Sequence, residues 1–382
     1  MHLLTNIFIM NIPMVDLKSQ YLKIKEEIES ALIQCVESAR FIKGPEVSAF
    51  ERSLSKYLDT KHAIGCGNGT DALQIALMAL ELKPGDEIIV PAFTYVATAE
   101  AIALLGLKPV MVDVYKNSFN IKTDSLEKAI TNKTQAIVPV HLYGQSADMA
   151  TLMQLAEKYD LYVIEDNAQA LGAEYTFPDG STKKTCTIGH IGCNSFFPTK
   201  NLGCFGDGGA ITTNDSVLAE KCRMIATHGQ KKKYHHSVVG CNSRLDTIQA
   251  AVLNVKLRYL DDYISARQKA ADYYYSGLNN LEGIILPEKT KEVTHTFNQF
   301  TIQIKNDQRD NLQDFLKEQG VPTVIYYPLP LYKQEAFKRY GNYKLQNTEE
   351  LCNSVLSIPM HTELTKEVQD YIINTIRDFF SN

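Results

Sequence analysis

Apolar side chains recur at every fourth position at Ile24, Ile28, Leu32 and Val36, which predicts an amphipathic helix over residues 24–36. A second helix is expected over 45–57. From there, short apolar runs alternate with helical stretches. The runs fall at 62–65, 87–90, 109–114, 136–140 and 161–164, and the helical stretches at 69–82, 94–105, 123–130 and 149–159. Strands this uniformly apolar are buried on both faces, and helices between them imply a mainly parallel sheet wrapped in helices. After about Asn254 the pattern changes. A long helix over 260–278 leads into 296–304, which alternates like a half-exposed strand, and helices follow at 308–319 and 365–380. The expected division is a large α/β domain over 11–255 and a smaller α+β domain over 256–382.

Composition agrees with that size. A chain of 382 residues is too long for one ordinary core and fits a large domain with a smaller second one. Its 45% hydrophobic and 22% charged residues are ordinary for a soluble globular protein. A net charge of -5 argues against a nucleic-acid footprint, which needs clustered Lys and Arg. The short basic run Lys231–Lys233 reads as a solvated loop. The 8 cysteines are scattered without a C-x-x-C pair, so neither a zinc site nor a redox pair is indicated. Scattered thiols point to a reducing, cytoplasmic setting. The stretch from Met1 to Met10 lacks the charged region and cleavage site of a signal peptide, and Met10 is an alternative start because the patterned sequence begins at Asn11. No apolar run approaches the length that spans a bilayer.

In open α/β sheets, ligands bind outside the carboxyl ends of the strands. Four features fall at such places. The first is the turn Gly65-Cys-Gly-Asn-Gly-Thr70 between a strand and an Ala-rich helix, where small residues and free N–H groups suit an anion. Read plainly it is a tight turn, and it lacks the third glycine of a dinucleotide fingerprint. The second is Asp166, directly after an apolar strand, where a carboxylate can contact the protonated nitrogen of a pyridine cofactor. A lone acid there is more commonly a cap. The third is Lys200, inside Asn194-Ser-Phe-Phe-Pro-Thr-Lys200-Asn-Leu-Gly203, with Ser195 a candidate phosphate donor. A desolvated lysine loses its proton and can form a Schiff base, whereas a lone lysine is usually a surface residue. The fourth is Tyr95 in Pro91-Ala-Phe-Thr-Tyr95, an aromatic that either stacks on a flat ring or packs in the core.

With these motifs in order, the chain resembles the DegT/StrS-type sugar aminotransferases, which aminate keto sugars on nucleotide carriers. The stretches that carry the resemblance are Gly67-Asn-Gly-Thr-Asp-Ala-Leu73, Pro91–Thr98, Glu165-Asp-Asn-Ala-Gln169, Ser195–Gly209 and Asn242–Ala251. The resemblance implies the pyridoxal 5'-phosphate (PLP) transferase fold of type I, aspartate aminotransferase-like, with a mainly parallel mixed sheet and a smaller C-terminal α+β domain. It also implies roles. Lys200 would hold PLP as a Schiff base and carry the proton during turnover. Asp166 would pair with the ring nitrogen, and Gln169 would hydrogen-bond the ring hydroxyl. Gly69, Thr70 and Ser195 would hold the phosphate. Tyr95 and Ala168 would flank the ring. Asn242 would reach the phosphate in the neighbouring subunit, so a homodimer with shared sites is expected. L-glutamate would be the amino donor in a ping-pong cycle.

A narrower resemblance is carried by Arg223–Gln230, Tyr234-His-His236, Tyr327-Pro-Leu-Pro-Leu331 and Ser357-Ile-Pro-Met-His361. These look like the branch that aminates UDP-2-acetamido-2-deoxy-3-oxo-glucuronate for bacterial O-antigen synthesis. That branch usually has His before the Tyr of its Tyr-Pro motif, and here the residue is Tyr326; only His gains a charge near neutral pH. Candidate substrate contacts are His228, Arg244, Tyr326 and Tyr327, with His235 and His236 in reserve. Arg244 has the fork geometry for a carboxylate or diphosphate. The rivals are an aminotransferase for a dTDP-linked keto deoxysugar, a sugar dehydratase (disfavoured, because that branch replaces the Schiff-base lysine with His) and a non-catalytic regulatory protein on the same fold.

Overall fold

The computed structural model describes residues 12–381, so the readings made for Met1–Met10 lie outside the described residues. Side-chain oxygens start several of the helices. Asn68 accepts from the Asp71 N–H at 2.8 Å, Asp148 from Thr151 at 3.2 Å, and Asp215 from Val217 at 2.7 Å. Each satisfies an N–H that a helix start leaves without a partner. The helices they open, Gly69–Ala79, Met149–Tyr159 and Ser216–Ile225, pack on a seven-stranded sheet.

That sheet consists of β1 (His62–Cys66), β2 (Glu87–Pro91), β3 (Lys108–Val112), β4 (Thr134–Ile137), β5 (Tyr162–Asp166), β6 (Ile191–Ser195) and β7 (Gly209–Thr213). Their spatial order is β1-β7-β6-β5-β4-β2-β3. The run from β6 to β3 is parallel, and β7 lies antiparallel to both of its neighbours. The fold is thus the expected mainly parallel mixed sheet with helices on its faces. Two elements differ locally from expectation. The run expected at 136–140 is a regular strand only over Thr134–Ile137, because Pro139 has no N–H to continue the ladder, and beyond it Val140 makes a single parallel bridge to Asp166. The helix expected at 123–130 splits into a 3-10 turn, Thr123–Ser125, and a single α-turn, Leu126–Ala129.

Beyond the helix Thr247–Leu257, which runs through position 254, the chain continues as the helix Leu260–Leu278 and builds a three-stranded antiparallel sheet: β8 (Ile284–Ile285), β9 (Phe300–Ile304) and β10 (Val355–Ile358). The helices Arg309–Glu318 and Lys366–Ser381 complete it. Its core gathers Tyr274, Leu278, Phe300, Ile302, Leu312 and Ile372, and also takes in Ile12. The alternating stretch at 296–304 is not half-exposed: all five residues of β9 are buried. Its polar row is satisfied internally. Thr301 and Ser357 hydroxyls share a bond of 2.7 Å, and Gln303 Nε2 donates to the Lys116 carbonyl at 3.0 Å. The alternation therefore separates an apolar core from a hydrogen-bonded face, not from water. Among the described residues, no helix is long and apolar enough to cross a membrane, and the cysteines are free thiols.

Candidate active site

The site gathers at the carboxyl ends of the parallel strands. Asp166 ends β5 and is buried; its Oδ2 accepts from the Thr98 hydroxyl at 2.6 Å and its Oδ1 from the Ala168 N–H at 3.2 Å. Ala168 keeps part of its surface open. Gln169, three residues past Asp166, has its amide fixed at both ends. Oε1 accepts from the Tyr143 N–H at 2.7 Å, and Nε2 donates to the Tyr327 hydroxyl at 3.1 Å.

Three tyrosines line this side. The exposed Tyr95 ring lies 6.2 Å from that of Tyr327, and the Tyr326 ring lies 5.8 Å from it. Burial pushes the phenols of Tyr326 and Tyr327 above their ordinary range. The Tyr143 hydroxyl donates to the Tyr326 carbonyl, so the same residue that orients Gln169 also holds the Tyr326–Tyr327 segment.

Lys200 follows β6 in the loop of aromatic and small residues. Crowding by protein lowers its pKa to about 8, opposed by the attraction of the Asp166 carboxylate. Part of its surface stays open, and among the described residues its amine makes no hydrogen bond or ion pair. An amine that is crowded, unpaired and half-neutral near pH 8 is a nucleophile.

The helix starting at Gly69 supplies the fourth element. With Asn68 capping Asp71, the Gly69 and Thr70 N–H groups have no protein partner among the described residues. A Cβ on residue 69 would sit 2.7 Å from the Ser195 Cβ, so glycine opens the space between the helix start and β6. The Ser195 hydroxyl, which accepts from the Phe197 N–H at 3.3 Å, faces that space. Ser243 braces the turn by accepting from the Gly67 N–H at 2.8 Å.

Gln169, Tyr327 and Tyr95 are thus linked by direct contacts, Asp166 is coupled by charge to Tyr327 and Lys200, and Ser195 meets Gly69. Three further candidates make no side-chain link to that group among the described residues, although the bond from Gly67 to Ser243 places Asn242 and Arg244 next to the turn. No hydrogen bond or ion pair among the described residues joins Asn242, Arg244 or His228 to that group. Asn242 is exposed, and Arg244 is half-buried with a guanidinium that has no partner among the described residues. His228 is exposed at φ 61°, beside a short hairpin of Gln230–Lys232 and His235–His236. The basic run Lys231–Lys233 thus begins in a strand of this hairpin, and its three residues are exposed. Sequence reasoning missed Thr98, Tyr143 and Ser243. Thr98 stood inside a motif, but only the packing of its helix against the end of β5 gives it a partner.

The donors match one cofactor well. Two free N–H groups and a serine hydroxyl suit a phosphate, a buried carboxylate suits a protonated ring nitrogen, and an unpaired amine of lowered pKa suits an aldehyde. On an open α/β sheet this combination defines a fold-type I PLP enzyme. A model of the DegT/DnrJ/EryC1/StrS aminotransferase family matches residues 22–377, and the chain belongs to that family. It is 48% identical over 376 residues to the pleiotropic regulatory protein of Geobacillus stearothermophilus, spanning 97% of this chain and 99% of that one. It is 46% identical over 353 residues to the UDP-2-acetamido-2-deoxy-3-oxo-D-glucuronate aminotransferase of Pseudomonas aeruginosa, spanning 92% and 96%. It is 38% identical over 370 residues to the dTDP-3-amino-3,4,6-trideoxy-alpha-D-glucose transaminase of Streptomyces venezuelae, spanning 96% of each. The solved structure of NtdA from Bacillus subtilis with bound cofactor PMP matches with a TM-score of 0.89 at 32% identity, covering 97% of this chain and 86% of that one. The chain is a PLP-dependent sugar transaminase.

Proposed function

We propose that the chain moves the amino group of L-glutamate to the keto carbon of a nucleotide-linked sugar, UDP-2-acetamido-2-deoxy-3-oxo-glucuronate, in bacterial surface polysaccharide synthesis. The observation that carries the reading is Lys200: an unpaired amine of pKa about 8, coupled to the strand-end carboxylate of Asp166. PLP supplies an electron sink for the carbanion formed when an amino acid loses its α-proton. Lys200 Nζ would hold the cofactor, and its amine is the group placed to hold or move a proton there. Asp166, held by Thr98, keeps the ring nitrogen protonated, and Gln169 Nε2 donates to the ring hydroxyl. Gly69, Thr70 and Ser195 bind the phosphate. Tyr95 and Ala168 would flank the ring.

The unpaired guanidinium of Arg244 suits the sugar carboxylate or the diphosphate, and His228, Tyr326 and Tyr327 are the further substrate contacts. The exposed Asn242, whose side chain has no partner among the described residues, supports a homodimer in which each site draws on two subunits. The 46% identity to the P. aeruginosa enzyme supports the UDP sugar.

One second reading has its own support. Tyr326 replaces the histidine expected in that branch, and the S. venezuelae relative is named for a dTDP sugar, so a dTDP-linked keto deoxysugar is the alternative. Coupled turnover with L-glutamate and a panel of UDP- and dTDP-keto sugars separates the two. Nitrogen gained by the UDP-linked uronic acid alone supports the first reading, and gain by a dTDP-linked deoxysugar supports the second. A cofactor-loaded protein that never responds to glutamate would instead be a regulatory protein.

A further inference from the structure

Glu165 and His141 sit behind the site, both fully buried, and neither side chain belongs to the machinery described above. Successive strand residues point to opposite faces, so Glu165 points away from Asp166. Its carboxylate accepts four hydrogen bonds. Oε1 takes the Ile188 and Gly189 N–H groups at 2.7 Å each, and Oε2 takes the Cys186 N–H at 2.8 Å and His141 Nε2 at 2.9 Å. That uses the full acceptor capacity of a carboxylate. His141 is constrained equally well. The Ala147 N–H can only donate, and it lies 3.1 Å from His141 Nδ1, so Nδ1 accepts and Nε2 carries the hydrogen that goes to Glu165.

The pair ties three segments that reach the site. The backbone of His141 donates to the Asp166 carbonyl at 3.0 Å, and the Asp166 N–H donates to Pro139 at 2.9 Å. Between His141 and Ala147 the chain turns through Tyr143 at φ 59° and Gly144 at φ 107°. This turn delivers the Tyr143 N–H to Gln169 Oε1 and so aims Gln169 Nε2 into the site. The loop 186–189, whose N–H groups Glu165 collects, runs directly into β6, which carries Ser195.

We propose that Glu165 and His141 are positioning residues that set the orientation of the Gln169 amide, and through it the hydrogen bond to the cofactor's ring hydroxyl. The inference rests on the reading of Gln169 as a cofactor contact. Its chemistry makes a sharp demand. Glu165→Gln keeps the shape but sets an NH2 group against N–H donors. A switched His141 tautomer cannot relieve this, because the Cys186 N–H still donates and Nδ1–H would then face the Ala147 N–H.

The test uses the cofactor-loaded enzyme. The pH midpoint of its visible absorption band and the cofactor dissociation constant are measured for wild type, Glu165→Gln, His141→Leu and His141→Gln. The expected result is a displaced midpoint and about tenfold weaker cofactor binding in Glu165→Gln and His141→Leu, as for outer partners of other tuned groups. His141→Gln, which can still donate to Glu165, should recover most of both. If Glu165→Gln does not fold, the two His141 variants decide on the same readouts. A purely structural pair would lower thermal stability but leave the midpoint of the folded protein unmoved, and that result overturns the inference. Gln169→Ala is run in parallel. If it too leaves the band and the dissociation constant unchanged, the assignment of Gln169 itself fails; if it alters them while Glu165→Gln does not, only the positioning role fails.

Discussion

Gly69 and Ser195 meet so closely that a Cβ on residue 69 would lie 2.7 Å from the Ser195 Cβ. The contact joins the first residue of a helix to the last residue of β6, and it sets the width of the space proposed for the cofactor phosphate. Gly69→Ala should push the two apart and weaken cofactor binding by about tenfold, equivalent to about 1.4 kcal/mol. Equilibrium titration of the cofactor-free protein with PLP checks this; an unchanged dissociation constant would remove Gly69 from the phosphate site.

Lys200 should be captured by the cofactor aldehyde only as the free amine. Its pKa of about 8 predicts that the rate of covalent capture by cofactor-free protein rises with pH and levels off above a midpoint near 8. Stopped-flow absorbance over the pH range tests it, and a midpoint near the ordinary lysine value of about 10.4 contradicts it. The same shift affects stability. Between those two values the unfolded chain binds more protons than the folded one, so Lys200 makes the cofactor-free fold more stable as pH rises through that window. Lys200→Met should remove this part of the slope in denaturant melts. Lys200→Ala should abolish turnover while phosphate-dependent PLP binding persists.

Thr98 donates to Asp166 at 2.6 Å inside the core. Thr98→Val keeps the shape and removes the donor. Hydrogen bonds to charged groups contribute about 1.5–3 kcal/mol, so kcat/KM for glutamate should fall by roughly tenfold to a hundredfold. Thr98→Ser should retain most of the activity. Equal rates in wild type and Thr98→Val would mean that Asp166 is held well enough by the Ala168 N–H alone.

Arg244→Lys keeps a positive charge but loses the planar fork. The Michaelis constant for the nucleotide sugar should rise by about tenfold while that for glutamate stays near wild type. Steady-state kinetics with both substrates distinguishes this from a general loss. An unchanged constant for the sugar would remove Arg244 from the substrate site.

Much of the candidate site could be nominated from the sequence because its residues stand in short motifs at strand ends. Asp166 closes an apolar run, Gly69 opens an Ala-rich helix, and Lys200 lies in an apolar loop. Thr98, Tyr143 and Ser243 were not legible in the same way. Thr98 and Ser243 each act through one hydrogen bond to a residue far along the chain and Tyr143 through two, and no local pattern announces such partners. β6 and β7 escaped for a related reason. Their sequences, Ile-Gly-Cys-Asn-Ser and Gly-Ala-Ile-Thr-Thr, lack the long apolar runs of the other strands. Gly192 of β6 has the Cys186 carbonyl oxygen 2.3 Å from where a Cβ would sit, so close packing, not strand propensity, sets its identity.

What the sequence by itself determined is the alternation of strand and helix, the mainly parallel sheet and the order of the motifs, because periodicity and turn chemistry act over a few residues. The tertiary structure alone decided that the alternating stretch ending in β9 is buried, since its polar row finds Ser357 and the Lys116 carbonyl instead of water. It alone also decided the pairings that orient the site: Thr98 with Asp166, Tyr143 with Gln169, and His141 with Glu165. A buried carboxylate or amide takes its orientation from donors that the fold brings to it, and those donors lie 68, 26 and 24 residues away along the chain.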